Sequence, residues 1–210
     1  MNSRLTPEEI ARLILRKDRA FRQIITSVGP PPRRRNAPID QRFAAIARSI
    51  TSQLLATRAA TTIHARVLEA CDGHVTEESI LQVGPETLRS AGLNRTKAEA
   101  MVELARMSLA GNINFDRHGR MSNDDITREI TAVRGIGPWT AHMYLMFTLA
   151  RPDIWPSGDY GVRYGWSIVH NEDDIISEKA LKEAGGSLVG VQSATAWYCW
   201  QALHVFRGEQ

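Results

Sequence analysis

The feature that most constrains the fold is a glycine-containing turn between two apolar helical segments. Residues 126–150 read ITREITAVRGIGPWTAHMYLMFTLA. Before the turn, Ile126, Ile130 and Val133 recur at helical spacing, and the residues after it are apolar almost all round. Glycine and proline at 135–138 interrupt the helical pattern. The segment therefore predicts a helix, a tight turn and a buried second helix.

The rest of the chain has the same helical periodicity, and no strand-type alternation of any length is found. Thr6, Pro7 and Glu9 are typical of a helix start, and the stretch that follows continues past Phe21 to a Gly/Pro break at 29–32. Ser122 followed by Asp125 predicts a second capping box. The fold class predicted is all-α, with further helices over 40–52, 56–70, 76–82, 85–91, 94–110, 159–170, 177–184 and 192–206.

Length and composition agree with one globular domain over 1–210, built from two helical subdomains. The chain has 210 residues, of which 43% are hydrophobic and 23% charged. No apolar run reaches the ~18 residues of a membrane helix, and the start shows no signal-peptide core, so we expect a cytoplasmic protein, nucleoid-associated if bacterial. Cys71 and Cys199 are the only cysteines, which excludes a four-cysteine zinc site or a cysteine-ligated iron–sulfur cluster.

The charge is distributed unevenly along the chain. Residues 1–70 carry 13 basic and 5 acidic side chains, whereas residues 71–210 carry 13 and 18. A basic half, rich in arginine, is typical of proteins that bind a polyanion. A solvated surface without a partner explains the same pattern, so charge alone leaves both interpretations open.

The turn and a later aspartate together carry the strongest functional signal. Gly135 and Gly137 bring the backbone close to whatever lies outside, and successive amides at a helix start suit a phosphate approached without reading base sequence. Twenty residues after Trp139, a Gly/Pro-rich loop ends at Asp159, in the string PSGDYGVR. GIGPWTA followed at this spacing by Asp159 resembles the helix-hairpin-helix DNA glycosylases, and among them the 3-methyladenine DNA glycosylase II group. Shorter segments at Ser52–Leu55, Leu88–Lys97 and Ala196–Trp200 resemble the same group.

The resemblance implies two helical lobes with a cleft between them, and a hairpin at about 126–150 that anchors a DNA strand. It implies a glycosylase that removes alkylated bases, such as 3-methyladenine and 7-methylguanine, in base excision repair. Double-stranded DNA is the expected partner, with no cofactor, no side-chain metal ligands and a monomeric chain. A monovalent ion held by the backbone at Gly135 and Gly137 fits the family pattern.

Asp159 is the candidate catalytic residue. Cleavage of an N-glycosidic bond passes through an oxocarbenium-like sugar, which a fixed carboxylate stabilises, and the same carboxylate can orient or deprotonate water. The alternative is a structural helix N-cap, because Asp159 precedes a helical stretch. The two roles are compatible, since a cap also holds the carboxylate in place.

Trp139 occupies the position where lyases of the superfamily carry a nucleophilic lysine. An indole cannot form a Schiff base, so we expect a monofunctional enzyme that leaves the abasic strand intact. The ring of Trp139 either stacks on a base or packs in the core at the start of a buried helix. The predicted base pocket consists of Trp139, Met143, Tyr160 and Trp197.

Aromatic faces suit cationic bases such as 3-methyl and 7-methyl purines, whose charge already weakens the glycosidic bond. The segment Gly190–Ser193 departs from the family's usual Pro, aromatic and Arg before the last helix. Because this region borders the base pocket in the family, other lesions such as 1-methyladenine or 3-methylcytosine remain an alternative.

The flipped-out base leaves a hole in the duplex, which a side chain must fill. The resemblance places this wedge in the segment matching Gln53 and Leu54, with Leu54 as the wedge and Gln53 facing the opposite base; core packing is the alternative for Leu54. Arg33–Arg35 and Arg42 are plausible phosphate contacts or solvated residues. The predicted DNA-binding set is Gln53, Leu54, Arg58, Arg134, Gly135, Ile136, Gly137 and Thr140.

Two rival functions are weighed against this one. A non-catalytic helix-hairpin-helix protein would need the hairpin but not Asp159. A helix-turn-helix regulator would need an exposed polar recognition helix, yet the helix after Gly137 is apolar. Neither rival gives a reason for the spacing between Trp139 and Asp159.

Overall fold

The computed structural model describes residues 5–53 and 57–208, and in these ranges it is helical without β-strands, as predicted. Short 3₁₀ turns lie at Arg19–Phe21, Ile39–Gln41 and Gly185–Leu188. None of the helices in the described ranges is long and apolar enough to span a membrane. The α-helices are α1 Pro7–Lys17, α2 Arg22–Val28, α3 Arg42–Ser52, α4 Thr57–Ala70, α5 Glu77–Ser90, α6 Arg95–Leu109, α7 Asn123–Thr131, α8 Pro138–Met143, α9 Tyr160–His170, α10 Glu178–Ala184 and α11 Gln192–Arg207.

The chain divides into two compact units. One unit is the continuous segment Asn36–Leu149, and the other combines the residues up to Arg35 with those from Ala150 onward. The first unit contains α3 to α8, and the second contains α1, α2 and α9 to α11.

The unit Asn36–Leu149 has a core of aliphatic side chains from α3, α6 and α7. Apolar residues at helical spacing on each helix turn one face inwards, which removes that face from water. Helix α5 bends at Gly84, whose φ of 69° is left-handed, so its two pieces match the two short helices predicted around Gly84 and Pro85. The fully buried residues include Ile46, Ile50, Met101, Leu104, Ile126 and Ile130.

The second unit is organised around the crossing of α9 and α11. Gly165 of α9 lies against the backbone of α11, where a Cβ would stand only 1.8 Å from the carbonyl oxygen of Cys199. Only glycine permits this approach, and the two helices pack backbone to backbone there. Tyr198, fully buried on α11, donates its hydroxyl proton to the carbonyl oxygen of Gly29 at 2.9 Å.

Both cysteines are buried thiols. Cys71 is 4% exposed and Cys199 is fully buried, and neither forms a disulfide. Burial, which disfavours the thiolate, raises the pKa of both side chains, and that of Cys199 rises well above its ordinary value.

Three local predictions need correction. The first helical stretch is broken at Asp18, which has extended backbone and accepts a hydrogen bond from the Ala20 amide, so α1 ends at Lys17. Ser122 caps α7 by accepting from the Asp125 amide, but the Asp125 carboxylate accepts from the Ser122 hydroxyl rather than from the Ser122 backbone amide. The helix expected over 139–150 is α-helical only to Met143 and continues as a π-helix over Tyr144–Thr148.

Candidate functional site

The hairpin predicted from the glycine turn is formed by α7, the turn at 132–137 and α8. Gly135 has a left-handed φ of 89°, and a Cβ there would lie 3.1 Å from the Cβ of Ala100 and 3.3 Å from Cγ2 of Thr96, both on α6. Glycine at 135 is therefore required by the backbone and by the packing of the turn against α6.

Gly137 differs from Gly135 in both respects. Its φ is −101° and its ψ 176°, an ordinary extended conformation that any residue can adopt. A Cβ at Gly137 would meet no heavy atom within 4 Å. Nothing within the described chain requires glycine here, and the space beside the backbone is open to an external group.

Two predicted hairpin residues are buried rather than presented to solvent. Ile136 is 5% exposed, and Thr140 is fully buried. The Thr140 hydroxyl accepts a hydrogen bond from Nε2 of Gln53 at 2.9 Å, and the same Nε2 lies 3.4 Å from the carbonyl oxygen of Gly135. Gln53 therefore ties the end of α3 to the hairpin, an arrangement that differs from the predicted position facing a base.

Lys97 fixes the same end of α3 from the other side. The side chain is buried on α6, and its Nζ donates to the carbonyl oxygens of Thr51 at 3.0 Å and Gln53 at 2.6 Å. A cation at the C-terminal end of a helix interacts favourably with the carbonyl dipoles. Burial lowers the pKa of this ammonium group. Helix α6 thus holds α3 through Lys97 and the hairpin turn through Thr96 and Ala100.

The other predicted residues of this unit that the structure describes differ in their exposure to solvent. Trp139 is half-buried and Met143 is buried, both on α8. Arg58 on α4 and Arg134 in the turn are exposed, as a phosphate contact would require. Leu54, the predicted wedge, lies outside the described residues.

The backbone carbonyls that were predicted to hold a monovalent ion have partners within the chain. The carbonyl oxygen of Gly137 accepts from the amides of Thr140 at 3.1 Å and Ala141 at 3.4 Å, and that of Gly135 accepts from Gln53. An ion at this place would share the two oxygens with these donors. The described residues contain no group of His, Cys, Asp and Glu side chains suited to a metal ion.

Asp159, in the second unit, is the N-cap of α9. Its Oδ1 accepts the backbone amide proton of Val162 at 2.7 Å, which is the capping bond. The same oxygen accepts the indole proton of Trp200 on α11, with Nε1 at 2.9 Å. The structure therefore confirms the N-cap role, and it adds a donor from a second helix that fixes the carboxylate plane.

The loop before Asp159 is anchored to the start of α11 by Ser193. The Ser193 hydroxyl donates to the carbonyl oxygen of Arg151 at 2.7 Å and accepts from the Ile154 amide at 3.0 Å. The Ser193 amide in turn donates to the carbonyl oxygen of Pro152 at 2.9 Å. Ser193 belongs to the segment that departs from the family pattern, and its short side chain holds the loop that leads to Asp159.

The remaining predicted pocket residues of this unit are aromatic side chains with different exposure. Tyr160 is 56% exposed, and its ring lies 6.0 Å from that of Tyr164. Trp197 is half-buried, with its ring 4.9 Å from that of Tyr198. Both rings are partly accessible, which base stacking requires.

Sequence reasoning missed two residues that the structure places at these sites. Trp200 appeared only as part of a family segment, and Lys97 only as the last residue of a similar stretch. No local pattern identifies their partners, since Trp200 bonds a residue 41 positions away and Lys97 bonds residues 44 and 46 positions away. Each of the two residues lies in a segment that resembles the family, and neither had an assigned role there. That combination is the signal that could have identified them.

The geometry provides an oriented carboxylate on one unit and a hairpin with an open glycine backbone on the other. A fixed negative charge is suited to stabilise a developing cation, because the group needs no reorientation as the charge forms. A backbone left open at Gly137 is suited to a phosphate group.

Known proteins share this architecture. DNA-3-methyladenine glycosylase 1 of Schizosaccharomyces pombe is 26% identical over 187 residues, which cover 88% of this chain and 82% of that protein. The structure of the S. pombe 3-methyladenine DNA glycosylase in complex with abasic DNA matches with a TM-score of 0.81, covering 88% of this chain and 91% of that one. A DNA-3-methyladenine glycosidase from Bacillus halodurans matches with a TM-score of 0.78 at 27% identity, covering 95% and 91% of the two chains.

The family model described as HhH-GPD superfamily base excision DNA repair protein matches residues 47–189. The matched range includes the hairpin, Lys97 and Asp159, while α11 with Trp200 follows it. The chain therefore belongs to the HhH-GPD superfamily of base excision DNA repair proteins.

Proposed function

We propose that the chain is a monofunctional DNA glycosylase that flips alkylated bases out of duplex DNA and releases them by hydrolysis. The observation that carries this proposal is the Asp159 carboxylate, whose Oδ1 is held by a backbone amide and an indole N–H. Family membership supports it, as do relatives named for 3-methyladenine excision.

The chemistry fits the residues. A 3-methyl or 7-methyl purine carries a positive charge, so it departs without first being protonated. The sugar develops oxocarbenium character as the C1′–N bond breaks, and the Asp159 carboxylate stabilises that charge. Water then adds at C1′, oriented or deprotonated by the same carboxylate.

Binding to DNA is assigned to the hairpin and the arginines near it. The open backbone at Gly137 approaches a phosphate, while exposed Arg134 and Arg58 add charge. Phosphate contacts do not distinguish one base from another, so the hairpin binds damaged and undamaged strands alike. Recognition of the lesion is assigned to the residues that the sequence predicts for base contact, Trp139, Met143, Tyr160 and Trp197.

The absence of lyase activity is part of the proposal. Trp139 takes the position of the lysine nucleophile, and the chain contains only four lysines. Lys97 is buried, with its Nζ bonded to two carbonyl oxygens. Lys17, Lys179 and Lys182 lie outside the hairpin and the Asp159 loop.

A panel of duplexes, each with one lesion, tests the proposal. The duplexes carry 3-methyladenine, 7-methylguanine, 1-methyladenine or 3-methylcytosine, and free base is measured by chromatography. We expect release of 3-methyladenine and 7-methylguanine. Release of only the other two lesions would correct the substrate class, and binding to all four without release would indicate a non-catalytic hairpin protein.

A further inference from the structure

The carboxylate of Asp159 receives a hydrogen bond that an N-cap does not need. The Val162 amide already makes the capping bond to Oδ1 at 2.7 Å. Trp200, from α11, adds its Nε1–H to the same oxygen at 2.9 Å. Because an indole N–H can only donate, it fixes Oδ1 as an acceptor and sets the rotation of the carboxylate plane.

The approach of Trp200 depends on a glycine beside Asp159. A Cβ at Gly161 would lie 2.9 Å from Cδ1 and 3.0 Å from Nε1 of Trp200, and 3.2 Å from Oδ1 of Asp159. The indole edge therefore occupies the space that any other side chain at 161 would fill. One turn later, Gly165 brings the α9 backbone against Cys199, the neighbour of Trp200.

Helix α11 thus contacts both the loop that precedes Asp159 and the Asp159 side chain itself. Ser193, in its first turn, anchors the loop that precedes Asp159, through Arg151 and Ile154. Trp200, about two turns further along, bonds the carboxylate itself. The position of Asp159 is therefore set by α11 as well as by its own helix.

We propose that Trp200 is a positioning residue for catalysis, which orients the Asp159 carboxylate toward the reacting sugar through the indole N–H. This inference rests on the proposed glycosylase function and on the role of Asp159 in it. Its consequence is kinetic: loss of the indole donor lets the carboxylate rotate, so the charge is less well placed when the oxocarbenium forms. Binding of DNA, which is assigned to the hairpin, does not depend on this bond.

Trp200→Phe tests the proposal, because it removes the donor and keeps an aromatic ring. We expect single-turnover release of 7-methylguanine to slow by roughly 10–100-fold, the scale of a misplaced catalytic group. The Kd for lesion-free duplex should stay within about twofold, since the phosphate contacts are unchanged.

Tyr198→Phe is the matched control. The Tyr198 hydroxyl, also on α11, donates a hydrogen bond to the carbonyl oxygen of Gly29 at 2.9 Å and not to Asp159. We expect this variant to lose thermal stability comparably and to keep the rate of base release within about threefold, as for changes outside a catalytic site. An equal loss of rate in both variants would reduce Trp200 to a structural role and overturn the proposal.

A double-mutant cycle gives the sharper readout. If Trp200 acts through Asp159, Trp200→Phe should cause no further loss of rate in an Asp159→Asn background. An undiminished further loss, or full activity of Trp200→Phe alone, would contradict the positioning role while leaving the glycosylase function in place. If the wild-type chain releases no base from any lesion duplex, the proposed function is wrong and the inference falls with it.

Gly161→Ala is the second variant, should Trp200→Phe fail to fold. It keeps the indole but adds a methyl group 2.9 Å from its ring, which displaces Trp200 from Oδ1. We expect slower base release with unchanged binding to lesion-free duplex. A Gly161→Ala protein that folds and excises base at the wild-type rate would overturn the proposal.

Discussion

The hairpin around residue 136 and the start of α9 each contain two glycines, and the surroundings of the two pairs differ. At the start of α9, both Gly161 and Gly165 are explained from within, because a Cβ at either would strike α11. In the hairpin only Gly135 is explained this way, by its positive φ and by α6. Gly137 has ordinary backbone angles and open space.

This difference distinguishes a glycine kept for folding from one kept for a ligand. A residue type that no intramolecular contact requires points to a constraint outside the chain, and at Gly137 we assign that constraint to a DNA phosphate. At α9 the glycines serve the carboxylate by letting Trp200 reach it. On this proposal the hairpin meets DNA, whereas the start of α9 is shaped by contacts within the chain that hold a carboxylate.

The largest effect is expected from removing that charge. Asp159→Asn keeps the capping oxygen but loses the negative charge that stabilises the transition state, so base release should fall by roughly 10³-fold or more. Binding to undamaged duplex should change little, because it depends on the hairpin. Chromatography measures the released base. If base release persists in this variant, catalysis lies elsewhere and the comparison fails.

Gly165→Ala tests the internal explanation of the α9 glycines. The added Cβ would stand 1.8 Å from the carbonyl oxygen of Cys199, so α9 and α11 must separate. We expect the free energy of unfolding to fall by about 3 kcal/mol or more. Urea denaturation followed by circular dichroism measures this loss. A Gly165→Ala protein as stable as the wild type would show that the two backbones need not approach so closely.

The two hairpin glycines provide a paired test. Gly135→Ala forces a left-handed alanine against α6 and should cost about 1–2 kcal/mol of stability. Gly137→Ala should leave the melting temperature nearly unchanged and weaken duplex binding by roughly tenfold, or about 1.4 kcal/mol. Fluorescence anisotropy with damaged and undamaged duplexes reports the affinity. Selective loss of lesion binding in Gly137→Ala would argue against the phosphate contact.

The last prediction is a negative result: borohydride should trap no adduct between the protein and DNA. With Trp139 in place of a lysine, we expect no Schiff base at C1′, so borohydride should leave no covalent protein–DNA adduct. The abasic strand should be cut only after alkali is added, as denaturing gels would show. An adduct that disappears when one of the four lysines is mutated would reveal lyase chemistry.

The sequence predicts most of the helical framework, because helix starts and apolar spacing are local properties. Thr6 caps α1 as expected, and the hairpin lies where the glycines place it. The break at Asp18 was missed because its cause is partly distant: Oδ2 of its carboxylate also lies 2.9 Å from Nε2 of His170, 152 residues away.

In the candidate site, too, local patterns could be predicted from the sequence and contacts between distant residues could not. Asp159 could be proposed as the catalytic residue because the hairpin and the Gly/Pro-rich loop precede it at a family spacing. Trp200 and Lys97 could not be assigned roles, because their partners come from other helices and no short pattern encodes a helix crossing. Thr140 and Ile136 were expected to meet DNA, whereas their side chains are buried and support the turn from inside.

The burial of both thiols has a chemical consequence for an enzyme of this kind. Agents that methylate DNA also attack soft nucleophiles, and a thiolate is the protein group that reacts most readily with them. Cys71 and Cys199, the only two cysteines, are withdrawn from solvent and kept in the thiol form by their raised pKa. During an alkylation episode the protein therefore offers almost no reactive thiolate to the reagent that creates its substrate.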